Sequence, residues 1–198
     1  MDWVNIRAPI WKELFSELRN KPGLHFLEIG SFEGRSACWF LENILTHPSS
    51  HITCIDLFTW DRSVEKTYVD AGLMSPMPEG WDMEKAFDHN IEDIGATSRT
   101  RKMRGASISM LPKLHGEFFD AIYIDGSHKA ADVLMEAVLC WLLLKPEGVL
   151  MFDDYPWQGP YTDPLMMPRI AIDAFLSINA GQYEVLHKQW MVIIRKRT

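Results

Sequence analysis

Cysteine is scarce in this 198-residue chain, and the three that occur, Cys38, Cys54 and Cys140, lie far apart, each within an apolar stretch. An odd, scattered set excludes a disulfide framework and a clustered zinc site and leaves three small buried hydrophobes. Long apolar runs are also missing. The longest, Ala137 to Leu144, falls far short of the roughly 20 residues a bilayer-crossing helix needs. The amino terminus, MDWVNIRAPIWKELF, has no basic start followed by an apolar core, so a soluble, cytoplasmic protein is expected. Positive charge is in deficit, with 20 Lys and Arg against 27 Asp and Glu and a formal charge of -7. A partner held mainly through phosphates, above all a nucleic acid, needs the opposite balance. The one basic run, Arg99, Arg101, Lys102 and Arg104, falls on an alternating stretch that reads as a solvated strand edge. Repeats and low-complexity tracts are absent as well, and 47% hydrophobic content over this length suits one domain with a single core.

What is present is a regular alternation. Leu24 to Ile29, His51 to Leu57, Thr100 to Met103, Phe119 to Asp125 and Gly148 to Asp153 are short apolar runs of strand type. Helical spacing puts Ala37, Phe40, Leu41, Ile44 and Leu45 on one stripe, and a segment near Ala130 to Leu144 is apolar almost all round. Alternation of this kind predicts a parallel sheet covered on both faces, with ligands at the carboxyl ends of its strands. A leading helix is expected over Pro9 to Asn20, and another near Arg169 to Ile178. Tyr183 to His187 and Trp190 to Arg195 then read as an antiparallel hairpin closed by Lys188-Gln189.

The first strand leads into Glu28-Ile29-Gly30-Ser31-Phe32-Glu33-Gly34-Arg35-Ser36, an acid and a glycine turn before a helix. A turn of this kind lets a small charged ligand approach bare backbone. A dinucleotide fingerprint from Gly30 needs glycine at 32 and 35, where Phe32 and Arg35 stand, and a phosphate-binding loop needs four residues between its glycines rather than three. The motif instead resembles the first motif of class I S-adenosylmethionine-dependent methyltransferases, whose turn passes under the cofactor's amino acid end. With the terminal hairpin, the resemblance extends from about Leu24 to Arg195 and implies a Rossmann-like, seven-stranded, mostly parallel sheet in a single α/β domain. It implies cofactor contacts at Glu28, Gly30, Ser31, Gly34 and Ser36. Asp56, 26 residues after Gly30 at a strand end, suits the ribose hydroxyls, and Gly105-Ala106-Ser107 is similar to a segment lining the adenine.

Two further strands, FFDAIYIDGSH and GVLMFDDY, each run into carboxylates at their carboxyl ends. Neighbouring parallel strands lie about 4.8 Å apart, so Asp125, Asp153 and Asp154 are expected to converge, and crowded hard oxygens suit Mg²⁺ or a similar divalent ion. The pair of segments resembles the metal-binding strands of the catechol and of the sugar and macrolide O-methyltransferases, with Asp154 where an amide is common. The same resemblance gives His128, three residues after Asp125, the role of base toward an acceptor hydroxyl, and gives Asp125 a part in the cofactor and metal sites. Two loops, Phe58 to Ala86 and Tyr155 to Pro168, are rich in aromatics and methionines, and Trp60, Tyr155 and Trp157 are the expected acceptor contacts. Burial in the core or in a homodimer interface is the other reading of those rings. The expected function is metal-assisted O-methylation of a small hydroxylated molecule. Its rivals are a metal-independent methyltransferase and a non-catalytic S-adenosylmethionine-binding subunit.

Overall fold

A computed structural model describes residues 3–198. In chain order it contains α1 (Trp3–Leu14), β1 (His25–Ile29), α2 (Arg35–Asn43), β2 (His51–Asp56), α3 (Arg62–Asp70), α4 (Met83–Asp93) and β3 (Thr100–Arg104). These are followed by α5 (Ser107–Met110), β4 (Phe119–Ile124), α6 (Ala130–Leu143), β5 (Leu144–Phe152), α7 (Arg169–Ile178), β6 (Tyr183–Lys188) and β7 (Val192–Lys196). The seven strands form one sheet in the order β3-β2-β1-β4-β5-β7-β6. Pairing is parallel from β3 to β5, while β7 runs antiparallel to both β5 and β6. The order reverses between β1 and β4, the place in a doubly wound sheet where ligands bind.

Apolar side chains fill both faces, as continuous hydrophobic strands require. One layer joins Leu27, Ile122 and Leu150 to Val133, Ala137 and Phe175, and the other joins Phe26, Cys54 and Met151 to Trp11, Phe40 and Phe87. All three cysteines are free, with Cys54 and Cys140 buried. No helix among the described residues is long and apolar enough to cross a membrane.

Several boundaries differ from the sequence expectation, among them the terminal hairpin, whose strands are joined by residues 189–191 and not by Lys188-Gln189. The leading helix starts at Trp3, not Pro9, and ends at Leu14, a short 3₁₀ turn covering Ser16–Leu18. Proline removes only its own N–H and the helix continues through it, because burial of Trp11 and Arg7 fixes the helix against the sheet. β5 begins at Leu144, directly after α6, so Pro146 and Glu147 lie in the strand's exposed start rather than in a loop. The first long loop contains all of α3 and the start of α4, each capped by an aspartate, Asp61 and Asp82. Three of the four residues of the basic run lie on edge strand β3 with their charges paired, Arg101 with Glu117, Lys102 with Asp88 and Glu84, and Arg104 with Glu84, while Arg99 just before it donates to the Leu45 carbonyl.

Candidate active site

Register brings the functional segments to one level. Ile29, Ile124 and Phe152 are neighbours across β1, β4 and β5. The ladder then continues one residue beyond the strands: Gly30 donates to Ile55 O at 2.9 Å, Asp125 to Ile29 O at 2.8 Å, and Asp153 to Ile124 O at 3.0 Å. Further along the rim, Gly105 donates to Asp56 O at 2.8 Å.

Gly30 sits at φ +83°, and a Cβ there would lie 2.1 Å from the Asp125 carbonyl oxygen. Only glycine lets β1 and β4 release their chains so close together. Gly34 has φ +78°, and Phe32 takes φ 48° between them. The turn is held from β2: Asp56 Oδ2 accepts from Ser31 N at 2.8 Å and Phe32 N at 2.9 Å, and Oδ1 accepts from Phe58 N at 2.8 Å. Expected as a ribose contact, Asp56 is thus first a brace for the turn, with lone-pair capacity left over.

Glu28 is wholly buried beneath this turn, near Ser31, Ser36 and Cys54. Burial pushes its pKa up to about 7, and the charge of Asp56 adds to the rise. Its Oε1 and the Ser31 hydroxyl are both buried without a hydrogen-bond partner. Orphaned acceptors under a glycine cradle fit the ammonium-bearing end of an amino acid cofactor, because an unmet buried polar atom costs about 1–3 kcal/mol. Along the rim, Gly105 and Ala106 lead into α5, whose first residue, Ser107, donates to Glu136 Oε1 at 2.6 Å. Glu136 is 2% exposed, and burial raises its pKa to about 7.

Asp125, Asp153 and Asp154 do converge. The Tyr123 hydroxyl lies 3.1 Å from Asp125 Oδ2 and also within hydrogen-bond reach of Asp153 Oδ2, so one phenol, with a single proton to give, links the two acids. Burial, then the charges of Asp153, Asp154 and Glu28, raise the Asp125 pKa well above the carboxylate range. The cation among these acids is a side chain. Arg7 Nε donates to Asp153 Oδ1 at 2.9 Å and Oδ2 at 3.0 Å, and Nη2 lies 2.7 Å from Asp153 Oδ1 and 3.3 Å from Asp154 Oδ1. Burial opposes the arginine's charge, but the bond to Asp153 and the surrounding acids outweigh it and its pKa is raised.

The place expected to hold a metal on Asp125, Asp153 and Asp154 is shared with a side chain in this structure. The acids meet as foreseen, but both oxygens of Asp153 and Oδ1 of Asp154 are already bonded to Arg7. Among the described residues no group of three His, Cys, Asp or Glu is arranged to hold a metal ion.

His128 lies between β4 and α6, its Nε2 3.0 Å from Asp154 Oδ2. Its ring stacks on Trp157 with centroids 3.9 Å apart and planes 16° apart, and Trp157 stacks in turn on Tyr68 at 5.8 Å. A small cleft beside it, about 10 Å³ in volume, is lined by Asp125, Gly126, His128, Asp153, Asp154 and Ile172. The other two expected acceptor contacts stand elsewhere. Trp60 donates to Glu65 at 2.5 Å and packs with Phe32 and Trp81 over the glycine turn. Tyr155 is in the core, its hydroxyl bonded to Asp173 at 2.8 Å.

Three residues were missed from the sequence: Arg7, Tyr123 and Glu136. Two carried a signal. Tyr123 precedes Asp125 by two residues, so strand alternation puts both on one face. Arg7 is the lone basic residue in the apolar first half of α1.

A seven-stranded sheet ending in an antiparallel hairpin, with a glycine turn at its switch point, defines the class I methyltransferase fold. The chain belongs to the methyltransferase-domain family, which matches residues 27–155. The O-methyltransferase hkm8 of Aspergillus hancockii is 32% identical over 128 residues, covering 65% of this chain and 41% of that protein. The chain thus spans about two fifths of that relative's length. Among solved structures, the O-methyltransferase TomG from Streptomyces achromogenes, involved in tomaymycin synthesis and solved in complex with SAM, has a TM-score of 0.65 at 19% identity. The match covers 96% of this chain and 81% of TomG. MycE methyltransferase from the mycinamycin biosynthetic pathway, in complex with Mg, SAH and mycinamycin VI, has a TM-score of 0.64 at 15% identity, covering all of this chain and 51% of MycE. At these identities the solved structures speak for the fold.

Proposed function

We propose that the chain is an S-adenosylmethionine-dependent O-methyltransferase acting on a small hydroxylated molecule. The observation that carries this reading is the glycine cradle with the orphaned Glu28 and Ser31 acceptors on the same sheet rim as His128. When bound, S-adenosylmethionine supplies an electrophilic methyl group on a sulfonium.

The chain's own residues would do the rest. Gly30, Gly34, Glu28, Ser31 and Ser36 would bind the amino acid end, Asp56 the ribose, and Gly105 to Ser107 the adenine. A carboxylate only accepts, so a neutral His128 would donate its Nε2–H to Asp154 and keep a lone pair on Nδ1. That nitrogen would take the acceptor's hydroxyl proton, while the Trp157 and Tyr68 rings would cover an apolar acceptor and exclude water. Orientation carries most of the rate, since positioning supplies roughly 7–11 kcal/mol and a general base about 3–5.

The magnesium in the MycE complex favours a second, metal-assisted form of the reaction. The pairing of Arg7 with Asp153 and Asp154 speaks for the metal-free form. Calorimetry of S-adenosylmethionine binding, followed by mass spectrometry of a hydroxylated panel for the gain of one methyl group, tests the reading. Binding without turnover on any acceptor contradicts it, and activity lost on chelation and restored by Mg²⁺ selects the second form.

A further inference from the structure

Arg7 lies outside the residues matched by the family, which begin at 27, and no motif of the sequence accounts for it. It is 2% exposed and grips a carboxylate 146 positions away. Its guanidinium also lies 6.0 Å from the Trp190 ring centroid. Asp154 has φ 53°, a left-handed conformation uncommon outside glycine. Consecutive residues of an extended strand point to opposite faces, and this turn of the backbone lets both Asp153 and Asp154 reach one cation. Asp154 Oδ1 accepts from Arg7 Nη2 at 3.3 Å, and its Oδ2 lies 3.0 Å from His128 Nε2. Arg7, Asp154, His128 and Trp157 therefore form one unbroken series of contacts.

Resting on the O-methyltransferase reading, we propose that Arg7 is a positioning residue that occupies the place of a divalent ion, holding Asp153 and Asp154 together and, through Asp154, fixing the orientation of His128. A planar guanidinium suits this task, because its donors leave in a fixed fork and its charge is not lost at any working pH. Unlike an ion, it arrives with the fold and is not removed by a chelator. The sequence pattern of acids on two strands then reads as a cation-binding face whose cation is internal.

The test uses Mn²⁺ as a probe, followed by electron paramagnetic resonance, on the full chain. The expected result is that the wild type leaves Mn²⁺ free while Arg7→Ala takes up one equivalent. Uptake by the wild type, or none by Arg7→Ala, overturns the proposal. A second readout is turnover on the acceptor found by mass spectrometry. Arg7→Ala is expected to lose about 10²-fold in kcat, on the scale of losing a general base, with S-adenosylmethionine affinity retained. Added guanidinium ion or Mg²⁺ is expected to restore part of that loss, an effect a merely structural defect does not allow. An unchanged kcat overturns the proposal. Where Arg7→Ala does not fold by circular dichroism, Arg7→Lys takes its place: it should block Mn²⁺ uptake while lowering kcat, and full activity or Mn²⁺ uptake overturns the proposal. Failure of the wild type to bind S-adenosylmethionine is a separate outcome that overturns the underlying reading instead.

Discussion

His128 Nε2 and Asp154 Oδ2 are 3.0 Å apart, although 26 residues separate them in the chain. The contact joins the loop before α6 to the end of β5, and in the proposed mechanism it holds the proton of a neutral imidazole on Nε2. His128→Ala is expected to lower kcat by about 10²–10⁴, and Asp154→Asn by less, because an amide still holds the ring but no longer selects the tautomer. Steady-state turnover on an identified acceptor checks both. Equal kcat in wild type and His128→Ala removes the histidine from the chemistry.

The glycine turn should tolerate no side chain at its first position. A methyl at Gly30 would meet the Asp125 carbonyl oxygen at 2.1 Å and sit on a backbone at φ +83°. Gly30→Ala is expected to cost about 3 kcal/mol or more, combining overpacking with left-handed strain, and to abolish S-adenosylmethionine binding. Urea unfolding and calorimetry measure the two effects separately.

Asp56 accepts three backbone N–H bonds, two of them from that turn and one from Phe58. Asp56→Asn puts an NH₂ where at least one N–H now finds an oxygen, at a cost of roughly 1–3 kcal/mol. Lower S-adenosylmethionine affinity should accompany the lower stability. Weakened binding with unchanged stability would mean that the carboxylate serves the ribose and not the turn.

Two buried glutamates set a pH dependence of stability. The pKa of Glu136 is raised from 4.5 to about 7 by burial, moderated by its bond to Ser107, and that of Glu28 is raised similarly. Each therefore binds a proton in the folded state that the unfolded chain has released. Their contribution is fully present below about pH 4.5 and is lost as pH rises through about 7. Glu136→Gln keeps the shape without the charge, so at about pH 8 it is expected to be more stable than wild type by up to roughly 3 kcal/mol, with no gain at about pH 4.5. Thermal unfolding across this range checks it, and a gain that is the same at both ends contradicts the assignment.

The fold and the cofactor turn were legible in the sequence because they rest on local rules. Apolar strands ending in Gly30, Asp56, Asp125 and Asp153 must present those residues at one rim once the sheet is parallel. The spacing of Gly30 and Gly34 excluded the phosphate-binding turns, and the hairpin after Ile178 was written in its alternation. The cation was not legible. Arg7 reaches Asp153 across 146 positions through the docking of α1, and such a contact leaves no periodic trace. Nor did composition show which aromatics of the long loops would gather at His128. Trp157 does so because Asp154 turns the chain there, with Trp157 N bonded to Asp154 O at 2.8 Å, whereas Trp60 is drawn to Glu65 and Phe32 instead.

The most direct measurement follows a ¹³C-labelled methyl group from S-adenosylmethionine to a hydroxylated acceptor by nuclear magnetic resonance, in buffer freed of divalent ions by a chelator. The expected result is a new oxygen-bound methyl signal from the wild type, unchanged in yield when Mg²⁺ is restored. A methyl group found on nitrogen, no transfer at all, or transfer only after Mg²⁺ is added would contradict it.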